Sequence, residues 1–355
     1  MEVIPRKISN KFLHDLAHET GILNPILKAV KADAGLSLQI RNGYITIYYL
    51  GLRLLAVKAS AEKYIGSIDP DYGYAGDCSA AICNINDSKI ITGTFAARKK
   101  AIESKAKNAE ERKFQQRLLR KNNAGYFCIV DIEVRIPEKI AKTLFKEQRH
   151  LPQFDMVGLI GLGGGAYRPV LIENKYGVGA LVGNAGIKMH ANDMSKFAFS
   201  DAWQDYMDEF EAQATQMRKL GLIYIDDHFY IDRYAPPEFL FIFGNMPKPF
   251  SEVKMLMQVA DNEIRKNAGT KKSYLLSGKH LESVKQVEDY TDDDLRYDAH
   301  YWPNYTHAHR GLSWNSGKVS PQTELSLERI YQIVNPKTDS EVDGNPPDKQ
   351  YHTLS

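Results

Sequence analysis

Residues 154–175 read FDMVGLIGLGGGAYRPVLIENK. Two apolar, strand-forming runs separated only by a glycine cluster are the signature of a β-hairpin. With the turn centred on Gly164, antiparallel pairing sets Asp155 opposite Glu173. Side chains directly opposed on a ladder have Cβ atoms roughly 4.5–5.5 Å apart. Strand side chains alternate between faces, so Lys175 shares the face of Glu173. Two carboxylates and an ammonium then meet on one patch. Like charges that close repel unless a cation lies between them, and a set of oxygen ligands suits a hard cation such as Mg²⁺. The competing reading is a solvated, charge-balanced strand edge. The apolar neighbours Met156, Val157, Val170, Leu171 and Ile172 favour a site.

The surroundings divide into three parts. Residues 1–97 read as a small α+β module. Its apolar positions Phe12, Leu13, Leu16, Ile22, Leu23, Ile26, Leu27 and Val30 have helical spacing, broken into two helices near Gly21 and Pro25. The runs LSLQIR, YITIYYL and LRLLAVK follow as a three-stranded antiparallel meander, with Asn42 and Gly43 as one turn signal. Residues 66–93 read as loops around a weak strand at Ile82 or at Ile90 and Ile91.

Residues 98–267 read as the core. A basic helix over 98–121 carries ten Lys or Arg against three Glu. Tyr126 to Ile136 alternates as a strand, with Asp131, Glu133 and Arg135 opposite its apolar face. The 155–175 hairpin follows, then an amphipathic helix over 193–220. The run EFLFIF at 238–243 suits a strand buried on both faces. Another helix is expected over 251–267. Residues 268–355 form a polar extension, with an acidic stretch at 288–298 that reads as a solvated linker and a tail at 335–355 expected to be disordered.

The Asp155…Glu173-x-Lys175 set resembles the active site of the PD-(D/E)xK nuclease superfamily. The order helix, strand, strand, strand, helix, strand is similar to its αβββαβ core and covers about 145 residues; motif and topology come from different residues yet agree. Phe154 stands where the family's proline would precede the Asp, and Pro152 lies three residues before it. The resemblance implies an α/β fold with a restriction-endonuclease-like core and a mixed sheet. It implies a Mg²⁺ or Mn²⁺ held by Asp155, Glu173 and the main-chain carbonyl of Asn174, with Lys175 orienting the attacking water. The family adds one more acid, for which Glu111 and Glu133 are the candidates.

Phosphate contacts are expected from Arg112, Lys113, Arg117 and Arg120 on the basic helix and from Lys188 and His190 entering the later helix. A solvated basic face is the alternative for the first set. Lys175, at a strand end, is expected to contribute little to the core.

Other motifs fall away. The GLGGGA run at 161–166 matches a dinucleotide-binding pattern, but strand residues follow where that site needs a helix. Residues 269–273 lack the glycine spacing of a P-loop. His300, His307 and His309 read as a polar surface segment rather than a metal site. Net charge is only +2, so nucleic-acid affinity must come from local patches. Three cysteines are too few for a disulfide framework and point to a reducing cytoplasm. No apolar run reaches membrane-span length. The sequence thus points to a metal-dependent nuclease acting on DNA, less so on RNA, in a setting such as restriction or antiphage defence, with a homodimer allowed. The alternative is a non-catalytic nucleic-acid-binding or scaffold protein that retains the fold.

Overall fold

A computed structural model describes residues 6–68, 79–106, 109–124, 127–136, 138–145, 153–176, 186–233, 237–247, 260, 263–264, 266–267 and 296–301. Residues 69–78, 177–185, His307, His309, the acidic stretch up to 295 and the tail at 335–355 lie outside them. The protein combines helices with antiparallel and mixed sheets. It divides into two compact units: residues 1–124, 130–132 and 205–227, and residues 125–129, 133–204 and 228–355.

In the first unit, α1 (Asn10–Ala17) and α2 (Asn24–Ala32) are the two helices expected around Gly21 and Pro25. Ser9 caps α1 by accepting from Phe12 N–H, and Pro25 starts α2, where a missing N–H costs nothing. The meander is larger than expected. The strands β1 (Leu36–Ile40), β2 (Tyr44–Tyr49), β3 (Leu52–Ser60), β4 (Lys63–Ser67) and β5 (Ser79–Ile82) pair antiparallel in chain order.

Ile90 and Ile91 belong to a helix, α3 (Ile85–Gly93), not to a strand. Its start is a capping box: Asn84 accepts from the Asp87 N–H while the Asp87 carboxylate accepts from Asn84 N–H. The expected single basic helix is two, α4 (Phe95–Lys105) and α5 (Glu110–Lys121). Both cluster with the N-terminal sheet. Gln116 on α5 accepts from Gly51 N–H at 2.5 Å and donates to the carbonyls of Gly35 and Tyr48.

The same unit buries a carboxylate. Asp131 is 0 % exposed and is held by the guanidinium groups of Arg6 and Arg41. Arg41 also donates to the Ile132 carbonyl at 3.0 Å and to the Tyr48 hydroxyl at 3.1 Å. Burial would raise the Asp131 carboxyl, but the two guanidinium charges outweigh it and hold it below the usual range. The sequence pattern assigns Asp131 to a polar face, and the structure corrects that: the face is buried and the charge is compensated. Nearby, Gln216 both accepts from Ile8 N–H at 2.9 Å and donates to Ile8 O at 2.7 Å.

The second sheet has the order β11–β10–β8–β7–β6. Its strands are β6 (Phe127–Arg135), β7 (Gln153–Gly163), β8 (Ala166–Tyr176), β10 (Glu238–Pro247) and β11 (Arg296–Tyr301), with the short β9 (Tyr230–Ile231) beside β8. α6 (Glu138–Leu144) lies between β6 and β7 in sequence. The sheet is mixed: β7 and β8 are antiparallel, β8 and β10 parallel, β10 and β11 antiparallel. Residues 296–298 of the expected acidic linker are therefore strand.

The amphipathic helix expected over 193–220 is two helices, α7 (Ile187–Ala198) and α8 (Ala202–Lys219). In the second unit Phe197 contacts Phe154 and Trp203, with ring centroids 5.5 Å apart in both pairs. Residues 260, 263–264 and 266–267 are helical, as expected.

Candidate functional site

The β7–β8 hairpin follows the register that the sequence arithmetic requires. Met156 pairs with Ile172 and Gly161 with Tyr167, and the register then shifts so that Gly163 pairs with Ala166. The two-residue turn is Gly164 and Gly165, with φ +61° and +80°, a backbone that only glycine adopts without strain. Strand follows the GLGGGA run, so no helix start is present to receive a dinucleotide pyrophosphate. The turn is held from outside as well: Tyr230 N–H donates to Gly165 O at 2.9 Å, and Asp232 N–H to Tyr167 O at 2.8 Å. On the far side of β7, Gly158 lets β6 approach closely; a Cβ there would lie 2.7 Å from the Cys128 carbonyl oxygen.

At the open end of this hairpin, Asn174 N–H donates to Asp155 Oδ2 at 2.7 Å. Asp155 is half-buried, whereas Glu173 is 0 % exposed and Lys175 3 %. Glu173 lies alongside Phe241 on the parallel neighbour β10. Lys175 Nζ comes within 2.5 Å of Glu173 Oε1, and His190 Nδ1, from α7, within 3.0 Å of the same oxygen. Both groups thus meet one oxygen of the carboxylate; among the described residues the other, Oε2, is buried with no hydrogen-bond partner. Burial would raise the Glu173 carboxyl, but Lys175 and His190 outweigh it and keep it low.

The structure thus brings Glu173, Lys175 and His190 into contact, with Asp155 tied to the residue between Glu173 and Lys175. Two expectations change. Lys175 is not a peripheral strand-end lysine; it is interior and compensates a buried acid. His190 is engaged by Glu173 rather than presented alone to a phosphate. Sequence periodicity could not reveal this, because α7 reaches the hairpin only in three dimensions.

The remaining expected residues lie elsewhere. Glu133 is in β6 with φ +52°, an uncommon backbone for a non-glycine residue. Glu111 is exposed on α5 in the first unit, together with Arg112, Lys113, Arg117 and Arg120. Lys113 pairs with Glu110 at 2.5 Å, the Arg117 guanidinium lies 5.9 Å from the Phe114 ring centre, and burial lowers Arg120. Lys188 is an exposed residue 3.8 Å from Glu263.

A second buried pair stands on the opposite face of β8. Arg168 Nη1 lies 2.5 Å from Glu238 Oε1, and burial pushes the Glu238 carboxyl up to about 7 against the pull of Arg168. Among the described residues no three His, Cys, Asp or Glu side chains converge as a metal-binding group. Also among the described residues, no helix is long and apolar enough to cross a membrane. Compared with protein-family models, curated proteins and solved structures, the chain matches none.

The donor set nevertheless fits a hard cation. Among the described residues, Glu173 Oε2 is a buried carboxylate oxygen with no hydrogen bond, a costly state that a cation would relieve. Mg²⁺ keeps several waters and needs only one or two protein carboxylates, so the lack of a three-residue cluster is compatible with it. Asp155, Glu173 and the Asn174 carbonyl are the groups that would hold it.

Proposed function

We propose that this protein is a metal-dependent nuclease that hydrolyses phosphodiester bonds, with DNA as the preferred substrate, on a restriction-endonuclease-like core. The observation that carries this reading is the acid pair on one hairpin, with a buried lysine at the carboxylate of the second acid. A divalent cation held there supplies Lewis-acid polarisation of the phosphoryl oxygen. Asp155 and Glu173 would hold it from two adjacent strands. Lys175 offsets charge on the bound phosphate and orients the attacking water, so the chain's own contribution is positioning and electrostatics in a largely dry site. Arg112, Lys113, Arg117 and Arg120 would add sequence-independent phosphate contacts.

One observation favours a second reading. Asp155 already accepts a main-chain hydrogen bond and Glu173 already has Lys175 and His190 against one oxygen. A nucleic-acid-binding or scaffold protein that kept the fold without cleavage would have settled its acids in this way. Incubation of the full chain with plasmid, linear duplex, single-stranded DNA and RNA separates the two. Cleavage with Mg²⁺ or Mn²⁺, abolished by EDTA and by Asp155→Ala, supports the enzyme. Binding with no cleavage of any of the four under either metal supports the second reading.

A further inference from the structure

We propose that His190 is a positioning residue for the cation: it holds Glu173 through Oε1 and so leaves Oε2 as the oxygen that takes the metal. This rests on the cation reading of the site given above. The terminal torsion of a Glu side chain is broad, so its carboxylate has little orientation of its own. A single ammonium acts as a point charge and leaves that torsion loosely defined. Here two groups from different elements meet the same oxygen, Lys175 from β8 at 2.5 Å and His190 from α7 at 3.0 Å. The second approach, from off the strand, restricts the rotation that the first leaves open.

His190 is itself well supported. Ile187, Ala191 and Met194 on α7 are fully buried, so the rotation of the helix about its axis is set by packing. Asn267 donates to Ser195 Oγ at 2.8 Å and to Asn192 O at 3.3 Å, which ties α7 to the following helical segment. The imidazole side chain is 23 % exposed while Glu173 is 0 % exposed, so His190 stands between the buried acid and solvent. Partners of metal-ligating carboxylates that do not touch the metal commonly cost about 10–100-fold in metal affinity when removed.

The test is Mn²⁺ titration of the full chain, followed by electron paramagnetic resonance, for wild type, His190→Ala and His190→Gln, with the metal-free melting temperature of each. His190→Ala should bind Mn²⁺ about 10–100-fold more weakly. His190→Gln, which keeps an N–H donor, should recover most of that loss. No imidazole nitrogen coupling should appear on wild-type Mn²⁺, because His190 acts through Glu173. Equal affinity in wild type and His190→Ala overturns the proposal. So does a clear nitrogen coupling, which would make His190 a direct ligand. If affinity merely follows the metal-free stability of both variants, the role is structural and the proposal falls. A wild type that binds no Mn²⁺ overturns the cation reading itself, an outcome distinct from equal binding by wild type and variant.

Discussion

Arg168 and Glu238 form a buried ion pair on one face of the mixed sheet, and Glu173 and Lys175 form another on the opposite face, both using β8. Strand alternation makes this possible: even-numbered residues of β8 point one way and odd-numbered residues the other. One strand therefore carries two charged pairs that must each stay matched.

Lys175→Ala should destabilise the fold as well as affect any activity. Removing one partner of a buried ion pair strands the other, at about 3–5 kcal/mol. The double variant Lys175→Met with Glu173→Gln should regain much of that loss, since no charge is left unpaired. Urea unfolding of the three proteins measures it. Equal stability of wild type and Lys175→Ala would contradict the interior role seen here.

Asp131→Asn should cost stability at neutral pH by a similar mechanism, because Arg6 and Arg41 lose their shared carboxylate. The pH dependence has a defined sign. A carboxyl held below its ordinary value of 3.8 contributes stability above that pH and loses it as pH falls through the lower folded-state value. The gap between wild type and Asp131→Asn should thus close in strong acid. A gap of constant size from pH 7 to pH 2 would show that the charge of Asp131 is not what matters.

Glu209 behaves in the opposite way. Burial pushes its carboxyl up to about 7, with Asp205 adding to the rise while Arg6 and Lys7 oppose it. A raised carboxyl favours folding below its unfolded value of 4.5, and that contribution is lost as pH rises through about 7. Glu209→Gln should therefore raise the melting temperature relative to wild type at pH 8 and change it little at pH 4. The same shift at both values would rule out titration as its origin.

Gly158→Ala should destabilise the second unit by about 1–3 kcal/mol, the usual cost of forcing a methyl into a filled space. The atom it meets is the Cys128 backbone carbonyl, which cannot swing aside as a side-chain tip would. Thermal unfolding reads this directly, and an unchanged melting temperature would mean that β6 and β7 separate more easily than their close approach suggests.

Replacing Arg112, Lys113, Arg117 and Arg120 with Gln should weaken nucleic-acid binding across all sequences. Every duplex phosphate deprived of its cationic side chain should flatten the slope of log K against log salt by about 0.9. Unchanged affinity and slope would leave α5 as a solvated face bound to the N-terminal sheet.

The parts of this fold that are readable along the chain are those governed by local chemistry. The glycine turn and the pairing of β7 with β8 can be counted directly, and Gly21 with Pro25 marks the break between α1 and α2. The capping box of α3 is also visible as Asn84 and Asp87, but the β-branched pair Ile90 and Ile91 suggests a strand; the cap decides it. The join between α7 and α8 carries no glycine or proline, only Phe199, Ser200 and Asp201, so one long period spans two helices. Charge alone places Asp131 and Lys175 outward, because charged residues usually are. The partners of Asp131, Arg6 and Arg41, come from distant segments; Glu173, two residues before Lys175, is legible as its neighbour, but the burial of that pair depends on α7 and β10 covering it.

The tightness of the Gly164–Gly165 turn has an evolutionary consequence. β9 holds the β8 side of the turn, so an inserted residue there has little room to bulge outward. If it were taken up by the ladder instead, every later residue of β8 would change faces. Ile172 would arrive where Glu173 stands, and the Arg168–Glu238 pair would be broken in the same step. Sequence drift can change the identity of many residues in this hairpin, but the number of residues between Asp155 and Lys175 is under far stronger constraint.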